Sequence, residues 1–303
     1  MDLSVALGRL SLANPILVAS GTFGYAKEAA PFVDLGRLGG IVPKTVTSLP
    51  RAGNRPPRIV ETASGMLNSI GLDNDGIDHF IEHHVPYLSR QGTRLIANVA
   101  GKTEDEFPSL VAKLDLVAGV DAIELNLSCP NVSGGIDFAT KPEVTERVIR
   151  RCYESTGKPI LAKLTPNVTD ILSIADAARQ GGADAVTLIN TLVGTAIDWR
   201  KRRPILSNVV GGLSGPAIKP IALRMVMMVA RKVAIPIVGV GGISTLDDVM
   251  EFLIAGASAV QLGTVNFFDP SSSMRMLDDL PTAVASLGAS SVQEVIGTLE
   301  WPR

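Results

Sequence analysis

Two cysteines, Cys129 and Cys152, stand among 303 residues. That excludes a disulfide framework and leaves too few thiolates for an iron–sulfur cluster or a cysteine-rich metal site. Charge of one sign is missing too: the formal net charge is −2, so no global field favours nucleic acid or anionic lipid. Long uninterrupted hydrophobic runs are missing as well. The most apolar stretch, residues 221–243, is broken by Arg224, Arg231 and Lys232, which argues against a membrane span. The start, Met1-Asp2-Leu3-Ser4, lacks the basic region and apolar core of a secretory signal. The expectation is a cytoplasmic protein that binds neither nucleic acid nor membrane. What the chain does have is core: 46% of residues are hydrophobic and 19% charged, a balance suited to an extensive globular interior.

Short β-branched runs alternate with helix-patterned segments throughout. Strands are expected over residues 16–19, 40–44, 94–99, 122–126, 159–164, 185–189, 236–240 and 259–262. Helices are expected near 25–38, 77–90, 103–117, 142–156, 169–180, 218–232 and 245–255. Thr169 and Thr245 suit N-cap positions, Asp248 completes a capping box with Thr245, and Gly157, Gly181 and Gly256 fall where helices should stop. Eight strands with intervening helices imply an α/β fold that closes as a (β/α)8 TIM barrel, with a doubly wound open sheet as the alternative. Such barrels commonly fill about 250 residues as one domain, so residues 1–303 are read as a single domain. Residues 3–12 suggest an N-terminal hairpin over the barrel bottom. Residues 45–74 after the second strand and 191–216 after the sixth are too long for plain links. They read as lids or binding loops, and the loop after the fourth strand carries Cys129.

The ends of the strands hold the chemistry. Asn126-Leu127-Ser128-Cys129-Pro130-Asn131 follows the fourth apolar run. Taken alone, Cys129 reads first as a structural thiol; flanked by carboxamides at a strand tip, it could instead exchange a proton with a bound molecule. The second strand ends at Lys44, the third carries Asn98 near its end, and the fifth carries Lys163. The sixth ends at Asn190-Thr191, the seventh at Gly239-Val240-Gly241-Gly242, and the eighth at Gly263-Thr264. In a barrel these groups share one rim. Carboxamides offer a donor and an acceptor side by side, matching a uracil-like ring edge. Lysines suit anionic atoms, and late glycine turns admit a phosphate to backbone N–H groups. A flavin mononucleotide would use all three. Ser244 replaces the third glycine of a G-x-G-x-x-G fingerprint, so no NAD site is expected here.

Other signals are weaker. His79 to His83 spells H-x-x-E-H, an inverted zinc-peptidase pattern. Yet Ile77, Phe80, Ile81, Val85 and Leu88 form the apolar stripe and place His79 and His83 on the opposite, solvated face, so no metal site is expected. Arg200-Lys201-Arg202-Arg203 reads as a solvated charge run, with steering of an anion or docking of a protein as alternatives. Three matches to the glycosylation sequon, at Asn126, Asn131 and Asn167, carry no meaning without secretion. Cys152, mid-helix beside Arg150 and Arg151, has no site around it.

Several motifs together resemble class 1 dihydroorotate dehydrogenases over nearly the whole chain. They are Ala19-Ser20-Gly21-Thr22-Phe23-Gly24, Pro43-Lys44-Thr45, Asn68-Ser69-Ile70-Gly71-Leu72, the Asn126–Asn131 segment, Gly211-Gly212-Leu213-Ser214-Gly215-Pro216 and the late glycine turns. The opening motif and the cysteine segment look most like the type 1B, NAD-linked catalytic subunit. The resemblance implies an FMN-containing (β/α)8 barrel that oxidises (S)-dihydroorotate to orotate in pyrimidine (UMP) biosynthesis. It implies that Cys129 removes the C5 proton while a hydride leaves C6 for the flavin. Lys44 would contact FMN and substrate, and Lys163 would stabilise the reduced flavin. Asn68, Ser69, Ile70, Gly71, Leu72, Asn126, Asn131, Asn190 and Thr191 would bind substrate. Ser20, Thr45, Asn98, Asn126, Ile189, Gly215, Gly241, Gly242, Gly263 and Thr264 would complete the FMN site.

The resemblance further implies a partner: an iron–sulfur (2Fe-2S), FAD-containing electron-transfer subunit, in a heterotetramer of two catalytic and two electron-transfer subunits. The alternatives are a type 1A fumarate-dependent homodimer or a dihydropyrimidine dehydrogenase, whose extra ferredoxin-like cysteines are missing. A colourless phosphate-binding barrel and a non-catalytic flavin-binding protein are further readings.

Overall fold

The computed structural model describes residues 1–128 and 138–301. Eight parallel strands close into a barrel in chain order: β1 (Ile16–Val18), β2 (Gly40–Ile41), β3 (Arg94–Val99), β4 (Ala122–Asn126), β5 (Ile160–Lys163), β6 (Ala185–Leu188), β7 (Ile237–Val240) and β8 (Ala259–Leu262). The ring closes where β8 pairs β1, Val260 opposite Ile16. Strands covered on both faces need continuous apolar sequence, and every residue of β1, β5, β6, β7 and β8 is buried. This is the closed (β/α)8 barrel expected, and the open-sheet alternative is excluded.

Helices at Glu106–Asp115, Pro142–Tyr153, Ile171–Gln180, Lys219–Lys232 and Leu246–Ala255 wrap the ring. Thr245 and Asp248 form the expected capping box. The cap of the helix at 171–180 is Asp170, not Thr169, because the Asp170 carboxylate accepts from the Leu172 N–H at 2.9 Å. The helix expected at 25–38 is absent; Ala26 has φ 65°, Pro31 cannot donate to the turn before it, and only a 3-10 turn at Leu35–Arg37 forms. A helix at Ser272–Ser286 with Pro281 inside it went unanticipated; Pro281 weakens the local helix signal that packing of Met276, Leu280 and Val284 restores. The helix expected at 77–90 is split by a π turn, Phe80–His84, between Gly76–His79 and Val85–Leu88. Pro86 supplies no N–H to the carbonyl of Glu82, and the Val85 N–H reaches back to Phe80 instead.

The N-terminal hairpin pairs Val5–Leu7 with Leu10–Leu12. Arg9 binds Asp184 in a salt bridge of 2.8 Å and donates to the carbonyls of Gly157 and Lys158. Those residues precede β5 and β6, so the hairpin is fastened to the barrel bottom. At the opposite end the two long loops meet. Residues Ile59–Thr62 and Gly65–Asn68 from one, and Leu192–Gly194 and Gly211–Ser214 from the other, form one antiparallel sheet. Its central register puts Gly212 opposite Asn68.

Candidate active site

A cavity of about 640 Å³ opens at the C-terminal ends of the strands, beneath that four-stranded sheet. Of the residues expected from the sequence, Ser20, Lys44, Thr45, Asn68, Ile70, Gly71, Leu72, Asn126, Lys163, Ile189, Asn190, Thr191, Gly215, Gly241, Gly242, Gly263 and Thr264 line it. Ser69 and Asn98 do not; both are buried beside it. The Ser69 N–H donates to the Arg58 carbonyl at 2.8 Å, so its backbone braces the loop edge. Cys129 and Asn131 lie outside the described residues.

The polar groups are held in place by one another. Asn190 Nδ2 donates to Asn126 Oδ1 at 3.2 Å, and Asn190 Oδ1 accepts from the Thr191 N–H at 2.8 Å. The hydroxyls of Ser20 and Thr45 lie 2.9 Å apart, tying the ends of the first two strand loops. Lys44 is half-buried. Desolvation holds its ammonium below the ordinary lysine range, reinforced by the Arg58 guanidinium and opposed by Asp73. A cation kept in a poorly solvated place attracts an anion strongly, because little water competes.

Below the cavity floor lies a buried polar network. Glu124 on β4 accepts from Asn98 Nδ2 at 2.7 Å, Thr187 Oγ1 at 2.8 Å and Gln261 Nε2 at 2.7 Å. Lys163 Nζ stands 3.7 Å from Glu124 and donates to Gln261 Oε1 at 3.3 Å. Asn98 Oδ1 is buried with no partner among the described residues, an acceptor suited to an N–H of a bound group. Two glycines form a close backbone turn at the far wall: Gly241 has φ 131° and Gly242 φ 75°. A Cβ on Gly242 would come 2.8 Å from the Lys219 N and 2.9 Å from the Gly215 carbonyl, so a side chain is excluded and backbone N–H groups are accessible to a phosphate.

Sequence reasoning missed Glu124, Thr187 and Gln261, which lie within strands where apolar residues are the rule. It also missed Asn167, which lines the cavity. Asn167 donates to the Thr191 carbonyl at 3.1 Å and accepts from the Val193 N–H at 3.0 Å, pinning the second lid segment. The signal existed: Thr165-Pro166-Asn167 follows β5 on the same rim. Ile59, Met66 and Val193 from the lid sheet, and Val210 just before its last strand, add apolar lining. Cys152 is buried and inert, its thiol pushed up to about 12 by burial. Among the described residues no helix is long and apolar enough to cross a membrane.

A family model described as dihydroorotate dehydrogenase matches residues 2–284. A protein of Geobacter sulfurreducens named dihydroorotate dehydrogenase B (NAD(+)), catalytic subunit, is 52% identical over 300 residues, covering 99% of this chain and 98% of its own. One of Geotalea uraniireducens with the same name is 51% identical over 299 residues, covering 98% of each. Among solved structures, a DHODH from Eimeria tenella in complex with ferulenol superposes with a TM-score of 0.82 at 25% identity, covering 98% of this chain and 88% of that one.

Proposed function

The chain belongs to the dihydroorotate dehydrogenase family, and we propose that it oxidises dihydroorotate to orotate in pyrimidine synthesis as the catalytic subunit of an NAD-linked enzyme. The observation that carries this is the convergence of Lys44, Lys163, Asn126 and Asn190 on one lidded cavity at the barrel's C-terminal rim. A substrate that is a cyclic imide bearing a carboxylate needs those donors: carboxamides for the ring edge, a cation for the acid.

The residues fit FMN, on the grounds of the buried Asn98 Oδ1, which has no partner among the described residues, and the side-chain-free turn at Gly242. Ser20, Thr45, Asn98, Asn126, Lys163, Ile189, Gly215, Gly241, Gly242, Gly263 and Thr264 would hold it. When bound, FMN supplies the acceptor for the hydride leaving C6. The remaining work is done by the chain. Cys129 takes the C5 proton as general base. Lys44 fixes the carboxylate, and Asn68, Asn126, Asn131 and Asn190 with Thr191 orient the ring. The backbone of Ser69, Ile70, Gly71 and Leu72 closes the loop side. Lys163 places positive charge where negative charge accumulates, an interaction strengthened by low dielectric. The lid sheet excludes water from the reacting atoms.

With two cysteines the chain holds no iron–sulfur cluster of its own. The electrons would leave through a separate 2Fe-2S, FAD-containing subunit that reduces NAD, in a cytoplasmic heterotetramer. Residues 1–303 would act as one FMN-binding domain. The test is anaerobic: dihydroorotate added to the purified yellow chain should bleach the flavin band without any partner present. A band that persists overturns the proposal. NAD reduction should then require the second subunit.

A further inference from the structure

The three histidines gather on the split helix after the first long loop. In a regular α-helix, residues five apart point about 140° away from each other. The wider π turn at Phe80–His84 cancels that offset and brings the rings of His79 and His84 to a centroid distance of 5.2 Å. Asp75, just before the helix, adds a carboxylate with Oδ2 3.8 Å from His79 Nδ1. One donor atom from each of Asp75, His79 and His84 lies within 4.8 Å of the other two.

Two further observations point to a ligand. His84 is fixed by stacking on Tyr25, with ring centroids 3.5 Å apart and planes 9° from parallel. Among the described residues, both His84 nitrogens and Nδ1 of His79 are buried with no hydrogen-bond partner. A buried imidazole nitrogen without a partner is costly unless it is hydrogen-bonded or bound to a metal. His83 is different: its ring lies 4.3 Å from that of His79, but it is half exposed, its Nε2 lies 3.7 Å from Glu82, and it is not part of the three-donor cluster. The sequence pattern His79-x-x-Glu82-His83 therefore names the wrong pair, and the π turn selects His84.

We propose that Asp75, His79 and His84 bind a divalent transition metal of the zinc class. Two imidazoles and one carboxylate form a nitrogen-rich donor set that suits zinc, cobalt or nickel and disfavours magnesium and calcium. Bonds of about 2.0–2.2 Å require the donor atoms to draw closer than they stand. The side chains of Asp75 and His79 are exposed enough to do so, at 64% and 42%, while His84 is the fixed point. None of the three lines the active-site cavity, so the metal is structural. It clips the π turn to the end of the segment that begins at Gly71 and Leu72 on the cavity wall.

Isothermal titration of the purified flavin-loaded chain with zinc chloride tests this, repeated on Cys129→Ser so that the thiol is not the ligand. One site per chain is expected in both. His79→Ala and His84→Ala should weaken zinc at least tenfold, Asp75→Asn several-fold, and His83→Ala should leave it unchanged. At a fixed zinc concentration the melting temperature should rise less in Asp75→Asn than in the wild type, and that exposed substitution leaves the Tyr25 stack intact. Absence of binding at submillimolar zinc overturns the proposal. So does full affinity in both Asp75→Asn and His79→Ala, or loss of binding in His83→Ala.

Discussion

Lys163 and Glu124 face each other across 3.7 Å inside the barrel, at 7% and 0% exposure. The ammonium serves the cavity above, and the carboxylate balances it from below while accepting from Asn98, Thr187 and Gln261. A buried charge left without its counterpart costs about 3–5 kcal/mol. Glu124→Ala should lower unfolding free energy by about that amount, read by urea denaturation. Glu124→Gln keeps the shape and should fall between. An unchanged midpoint in both variants would show that the network does not support the fold.

Lys44 carries a pH signature. Desolvation depresses its pKa, so the half-buried cation persists only below that lowered value. Orotate affinity should therefore fall as pH rises through it, earlier than an ordinary lysine would allow. Fold stability runs the other way: the cost of burying the cation is full below the folded pKa and is relieved as pH climbs toward the unfolded value. Lys44→Met should bind orotate weakly and lose the alkaline limb. Affinity in the wild type that stays level up to the ordinary lysine range would contradict the assignment.

Cys129→Ser should keep FMN and orotate but slow flavin reduction by dihydroorotate about 10²–10⁴-fold, the usual worth of a positioned base. A serine hydroxyl is a far weaker acid than a thiol, so its basic form is scarce. Rapid mixing under anaerobic conditions measures the rate; wild-type speed would remove Cys129 from the mechanism.

Gly242→Ala tests the phosphate turn. The position has φ 75°, and the new methyl would press on the Lys219 backbone, a strain of about 1–3 kcal/mol. FMN released on dialysis, measured by fluorescence, should increase at least tenfold. A variant that retains its flavin as the wild type does would place the phosphate elsewhere.

Much of the rim is legible in the sequence because a parallel barrel converts chain order into position. Each β-branched run ends on the same face, so Lys44, Asn126, Lys163 and Asn190 can be grouped by reading strand ends. Glu124 and Gln261 are not legible that way. Each is a polar residue inside an apolar strand, and only closure of the ring brings β4 and β8 near enough to pair them. The lid sheet is equally hidden: Asn68 and Gly212 pair across 144 positions, and both segments read locally as irregular loops.

The eight strands, the late glycine turns and the membership of the family can be read along the chain, because periodicity, capping and motif chemistry act over a few neighbours. Folding settled what depends on distant contacts. It joined two loops into one lid and gave Lys163 its buried counter-charge. It also replaced the helix expected near Tyr25 with turns, and used a π turn to bring His84 beside His79 and against the Tyr25 ring. Those outcomes follow from packing and from backbone hydrogen bonds that Pro31 and Pro86 cannot supply, and neither is encoded in the spacing of residues along a helix.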